Sequence, residues 1–296
     1  MVQSDDDNPA TVIAACVQFD VQRGEVDQNL QRASEGIAAA VAAGARLCVL
    51  PEMWSTSFMA SYDAVTLAAA ERAEAALLAL SRVHGLVVVG SSVEAAGDGY
   101  RNCARVYDCG ALLGSYRKIH LFSPHGEHRH HLPGDEPLIV NSSAGRLGVL
   151  ICYDIRFPDL ARYYFHKGVE VLTVPAQWPE ARAQHWRTLL RARAIENEAY
   201  VVGCNRTGQE PSLKNEDLLA FPGDGRIIDP TGEVLAAGNG DAGALVAELQ
   251  LRTVRTMRRI LPVGRDQRPS VYRRLWDDAW QAMVAASREG DERDPQ

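Results

Sequence analysis

Leu147-Gly148-Val149-Leu150-Ile151-Cys152-Tyr153-Asp154 decides the architecture. Five apolar residues in a row, with no alternation, read as a strand buried on both faces. The polar run Tyr153-Asp154-Ile155-Arg156 directly after it marks a sheet edge or a site. A helix is expected over Phe157 to Phe165, stopped by Gly168, and then a second apolar strand over Val169 to Val174. A further helix is expected over Pro179 to Glu198, with Pro at its first position, followed by a strand over Tyr200 to Cys204.

The same rhythm holds toward the N-terminus. Thr11 to Phe19 is a β-branched apolar run, and Leu47 to Leu50 a buried strand closed by Pro51. Leu30, Ala33, Ile37 and Val41, spaced by three or four, predict a helix over Val26 to Ala43 with Gly44 just past its end. Ala64 to Val83 reads as a helix, Leu86 to Val93 as a strand, and Tyr100 to Lys118 as a hairpin turning at Cys109-Gly110. Short strands are expected over Asp224 to Asp229, Val234 to Ala236 and Ala244 to Leu249. Alternating strands and helices with hairpins included predict a layered α/β domain with a mixed sheet arrangement. Residues 1–10 and Arg288 to Gln296 read as disordered tails.

Composition excludes several classes. The net charge of -7 argues against a general nucleic-acid binder. The basic run Arg252, Arg255, Arg258, Arg259 reads as a solvated face. No stretch approaches the roughly 20 apolar residues of a membrane span, and the acidic start is not a signal peptide. The six cysteines are scattered, without a CxxC pair, which fits buried thiols in a reducing compartment and not a disulfide framework.

Three polar residues close three strands. Cys152 stands at a strand-to-helix turn, where backbone N–H groups are exposed and the local positive potential is expected to favour thiolate. A core cysteine is ordinarily structural, and only the polar run after Cys152 speaks for chemistry. Glu52 follows Pro51 in apolar company, where burial raises a carboxyl pKa and suits it to proton transfer; a turn cap is the alternative. Lys118 ends a strand and opens a long loop, Ile119 to Pro137, that holds five of the eight histidines; a solvated strand-end lysine is its alternative. His128, His130 and His131 lack the carboxylate or cysteine partners of a zinc site and read as polar residues lining a pocket. Asp154 with Arg156 reads as a local ion pair. No phosphate loop or dinucleotide fingerprint occurs.

Leu50-Pro51-Glu52-Met53, Tyr116-Arg117-Lys118-Ile119-His120-Leu121 and Gly148-Val149-Leu150-Ile151-Cys152-Tyr153-Asp154 together resemble, in order, the Glu, Lys and Cys signatures of the nitrilase superfamily. The resemblance runs from about Thr11 to Tyr272 and implies a four-layer α-β-β-α sandwich. It implies a carbon–nitrogen hydrolase domain over residues 11–275, with a C-terminal helix and tail over 276–296. A second family glutamate, six residues before Pro-Gly-Asp, maps onto Glu127 ahead of Pro133-Gly134-Asp135.

Gln177-Trp178-Pro179, the run Arg191 to Asn197 and Gly203-Cys204-Asn205-Arg206 are most similar to omega-amidases, which cleave the terminal amide of 2-oxo dicarboxylic acid monoamides. The resemblance implies Cys152 as nucleophile, Glu52 as base, Glu127 as orienting carboxylate, and Lys118 with the Tyr153 N–H as oxyanion donors. Arg156, Gln177, Trp178, Arg182 and His131 become candidates for substrate binding. The expected enzyme needs no metal or organic cofactor, acts on a small amide in the cytoplasm, and forms a homo-oligomer, a dimer by resemblance. A nitrilase, an N-carbamoyl amidohydrolase, or an idle binding protein on the same fold remain alternatives.

Overall fold

The computed structural model describes residues 10–291 except Asp98 and Glu216, with side chains described as far as Gln281. The chain separates into two compact units, residues 1–256 and 257–296.

The first half of the larger unit lays down β1 (Thr11–Gln18), α1 (Val26–Ala42), β2 (Leu47–Val49), α2 (Ala64–His84), β3 (Val87–Ala96), β4 (Gly99–Asp108) and β5 (Ala111–Arg117). The second half lays down β6 (Ile139–Ser142), β7 (Gly145–Val149), α3 (Pro158–His166), β8 (Val171–Ala176), α4 (Ala183–Asn197) and β9 (Tyr200–Asn205). There follow β10 (Thr207–Pro211), β11 (Leu218–Pro222), β12 (Arg226–Ile228), β13 (Val234–Ala237) and β14 (Gly243–Gln250). The remaining helices are α5 (Arg252–Ile260), α6 (Val263–Asp266) and α7 (Pro269–Asp291). The expected tail from Arg288 therefore starts as helix; residues 292–296, like 1–9, lie outside the described residues.

Two six-stranded mixed sheets form, in the orders β14-β1-β2-β3-β4-β5 and β13-β12-β9-β8-β7-β6, with β10 and β11 as a separate pair. Strand β1 shows why its sequence does not alternate. Val12, Ala14 and Cys16 pack into the core between the sheets, whereas Ala15 and Val17 pack against α1 and α2. Leu47 and Val49 of β2 face the first core and Cys48 the second. Both faces are buried, so every position is apolar. The expected sandwich is thus present: α1 and α2 on the outer face of one sheet, α3 and α4 on that of the other. Helix α2 is capped at both ends, by the Asp63 side chain accepting from Thr66 N and by Gly85 in the left-handed conformation.

Two of the boundaries that differ from expectation lie beside the site. Strand β8 runs through Pro175 to Ala176. Proline is tolerated there because the ladder with β7 ends at Thr173. Helix α4 starts at Ala183, not Pro179, because Pro179 is extended and Glu180–Arg182 form a separate 3-10 turn. The Trp178 indole fixes that turn by donating to the Arg182 carbonyl at 2.8 Å.

Candidate active site

Strands β1, β2, β3 and β5 run in one direction in the first sheet, as do β7, β8 and β9 in the second. Residues just past their C-terminal ends converge, the usual place for a site in such sheets. Glu52 follows β2, Lys118 follows β5, Cys152 follows β7 and Gln177 follows β8. Glu127 reaches the same point from the long loop, whose far end is tied down at Gly134. That N–H donates to the Lys118 carbonyl at 2.8 Å. A Cβ at Gly134 would meet the Arg117 carbonyl oxygen at 2.2 Å, so no larger residue permits this closure.

The Lys118 ammonium donates to Glu52 Oε1 and Glu127 Oε2, both at 2.7 Å. The Asn102 amide, on β4, donates to Glu52 Oε1 at 2.8 Å and reaches Glu127 Oε1 at 3.4 Å. Glu52 Oε2 accepts the Gln177 backbone N–H at 2.9 Å, and the Cys152 thiol lies in the field of the same carboxylate. Phe122 N donates to Glu127 Oε2 at 2.6 Å. Glu52, Lys118, Glu127 and Cys152 are all buried and all line one pocket.

Cys152 is held at φ 46°, a left-handed conformation that is strained for a residue with a Cβ. The turn that imposes it is built around Asp154. This buried carboxylate accepts from Ile151 N at 2.9 Å, the Tyr116 hydroxyl at 2.8 Å and His120 N at 3.0 Å. Asp154 therefore locks the Cys152 turn to the segment after Lys118, and the expected Asp154–Arg156 pair is corrected: Asp154 is used up by these partners. Arg156 lies 3.1 Å from His185 Nδ1 and packs over the Trp178 ring at 4.8 Å.

Electrostatics also corrects the expected thiolate. Burial and the neighbouring Glu52 carboxylate push the Cys152 thiol well above the usual range, only partly offset by Lys118. The local backbone potential is the smaller effect, so a thiolate forms only as its proton is taken. Burial likewise raises Glu52, opposed by Lys118 and reinforced by Glu127. Burial works to lower Lys118, but Glu127 and Glu52 outweigh it and hold the ammonium charged. His131, on the cavity wall, is pushed down to about 4 by burial and stays neutral.

A second, smaller recess also opens on Cys152. Arg156, Arg182, Tyr153, Gln177 and Trp178 line it. Gln177 is committed to the scaffold, its side chain donating to the Glu52 carbonyl at 2.8 Å and accepting from Arg206 Nη1 at 3.1 Å. His128 and His130 sit beside Glu127 in the loop, and His130 lines the larger cavity with His125.

The arrangement brings a thiol, a proton acceptor and a fixed cation to one buried point, which is the equipment of nucleophilic acyl transfer. The model of the family described as carbon-nitrogen hydrolase matches residues 13–259, and the chain belongs to that family. It is an enzyme that hydrolyses carbon–nitrogen bonds. The chain is 36% identical over 261 residues to a 2-oxoglutaramate amidase of Bacillus subtilis, covering 87% of this chain and 98% of that protein. It is 37% identical over 220 residues to the omega-amidase YafV of Yersinia enterocolitica, covering 74% and 82% of the two. The crystal structure of a carbon-nitrogen hydrolase from Helicobacter pylori G27 is similar with a TM-score of 0.82 and 26% identity, covering 90% of this chain and 98% of that one.

Proposed function

We propose that this enzyme is an omega-amidase, converting a 2-oxo dicarboxylic acid monoamide and water to the diacid and ammonia. Cys152 attacks the amide carbon as Glu52 takes its proton, which forms the thioester precursor without a free thiolate in the resting enzyme. Lys118 and the Tyr153 N–H receive the oxyanion. Glu52 passes its proton to departing ammonia and then activates the water that cleaves the thioester. Glu127 holds Lys118 in place.

The observation that carries the substrate is the small recess beside Cys152. It holds Arg156 and Arg182, neither of which forms an ion pair among the described residues. Two arginines beside aromatic rings suit a substrate carboxylate, which the guanidinium binds at two points. The names of the two relatives agree with such a substrate. Six free cysteines fit a cytoplasmic, reducing location, and the family resemblance supports a homodimer.

The test is kcat/KM for 2-oxoglutaramate or 2-oxosuccinamate against the corresponding methyl ester amide and a neutral aliphatic amide of equal length. The acid amide should win by roughly 10-fold or more, because a neutral analogue leaves two half-buried cations unpaired. Equal values would remove the carboxylate recess and leave a general amidase.

A further inference from the structure

The two carboxylates of the site are bridged twice, and only one bridge is charged. Lys118 spans Glu52 Oε1 and Glu127 Oε2. Asn102 spans Glu52 Oε1 and Glu127 Oε1 from the other side. We propose that Asn102 is a positioning residue that holds Glu52 in its proton-accepting form, using an uncharged amide to offset the repulsion between the two carboxylates. This rests on the role given above to Glu52.

The geometry leaves the side chain no other task. Asn102 is fully buried and lines neither cavity, so it meets no substrate and acts through the carboxylates. Its amide orientation is dictated by chemistry, since the reversed amide would set a carbonyl against two anions. Its own carbonyl oxygen finds no partner among the described residues, so the side chain's bonding there lies on the NH2 side. Its backbone is tied to the same end: the Asn102 carbonyl accepts from Lys118 N at 2.9 Å.

A second lysine here would hold Glu52 ionised as well, but it would also stabilise the Glu52 carboxylate too strongly to act as a base. A neutral donor shifts the balance by less. Removing a hydrogen bond to the charged form raises a carboxyl pKa, and one such bond corresponds to about one pH unit.

The experiment uses Asn102→Leu and the near-isosteric Asn102→Asp in the full-length enzyme. Two pH profiles are recorded: kcat/KM on 2-oxoglutaramate, and the rate at which iodoacetamide alkylates Cys152. In Asn102→Leu the acid limb of both profiles should move up by about one pH unit. In Asn102→Asp the new carboxyl donates while protonated and repels once ionised, so both optima should move to lower pH. A folded variant of either kind whose two profiles keep the wild-type limbs, with only the height changed, would overturn the proposal and leave a packing role. If Asn102→Leu does not fold, Asn102→Asp decides alone. Alkylation needs no substrate, so a wild-type enzyme inert to 2-oxoglutaramate would refute the omega-amidase assignment while the Asn102 test still reads out.

Discussion

Replacing Lys118 by Met takes one positive charge out of a buried site, since Lys118 and Glu52 are each 1% exposed. The ammonium lies 2.7 Å from one oxygen of each carboxylate. At an effective dielectric of about 20, each contact carries about 6 kcal/mol of Coulomb energy. Protonating one carboxyl at pH 7 from its ordinary value of 4.5 costs only about 3.4 kcal/mol. The variant therefore takes up a proton instead of keeping two bare anions, which caps its destabilisation near 3–4 kcal/mol. The sign follows. The folded-state pKa of that carboxyl lies above its unfolded value, so its contribution is intact below the unfolded value and is lost as pH rises. Urea unfolding should show a deficit against wild type that grows from about pH 5 to about pH 7, by about 1.4 kcal/mol per pH unit until the folded pKa is passed. The loss of an oxyanion donor should also cut kcat by roughly 100- to 1000-fold. A deficit independent of pH, or a kcat within about tenfold of wild type, would refute the coupled site.

Cys152→Ala should abolish turnover and keep the melting temperature within a few degrees, because one thiol is removed without opening a large cavity; residual activity in the purified variant is the check. Lys118→Arg should lose kcat despite keeping its charge, because a planar fork cannot sit at 2.7 Å from both Glu52 and Glu127 as the compact ammonium does. Arg156→Ala and Arg182→Ala should each lower kcat/KM for 2-oxoglutaramate by roughly tenfold or more and leave a neutral amide unaffected. The proposed chemistry is complete in side chains, so dialysis against EDTA should leave the rate unchanged; a loss restored by added metal would contradict it.

Much of this was legible because burial writes itself into composition. The unbroken apolar runs of β1, β2 and β7 could only be strands covered on both faces, and the polar residue closing each run could be read as a site. Asn102 was not legible, although it stands on an expected hairpin. A two-residue turn at Cys109-Gly110 would pair Asn102 with Arg117. The bulge between Val106 and Tyr107 shifts the register by one and pairs Cys103 with Arg117, which sets Asn102 across from Lys118. One residue of slip changes the face of every side chain, and nothing in the local sequence announces it. The β10–β11 hairpin was missed because Thr207-Gly208-Gln209-Glu210-Pro211 reads as loop; its two strands form a small sheet of their own, outside the two large ones. The fate of Asp154 was hidden for another reason: its partners Tyr116 and His120 lie more than thirty residues away. The thiolate expectation failed because it counted the local backbone and not the burial that a distant sheet imposes.

The pairing of β1 with β14 has a consequence for how the enzyme is made. Strand β1 ends at Gln18 and its antiparallel partner begins at Gly243. A ribosome adding about 5–20 residues per second needs roughly 10–50 s to cover that interval. Throughout it, an apolar strand waits with one edge unpaired, which is the template on which chains join to one another. The nascent chain cannot complete its first sheet until β14 has been synthesised. Truncation before Gly243 should therefore yield aggregation and not a smaller active enzyme.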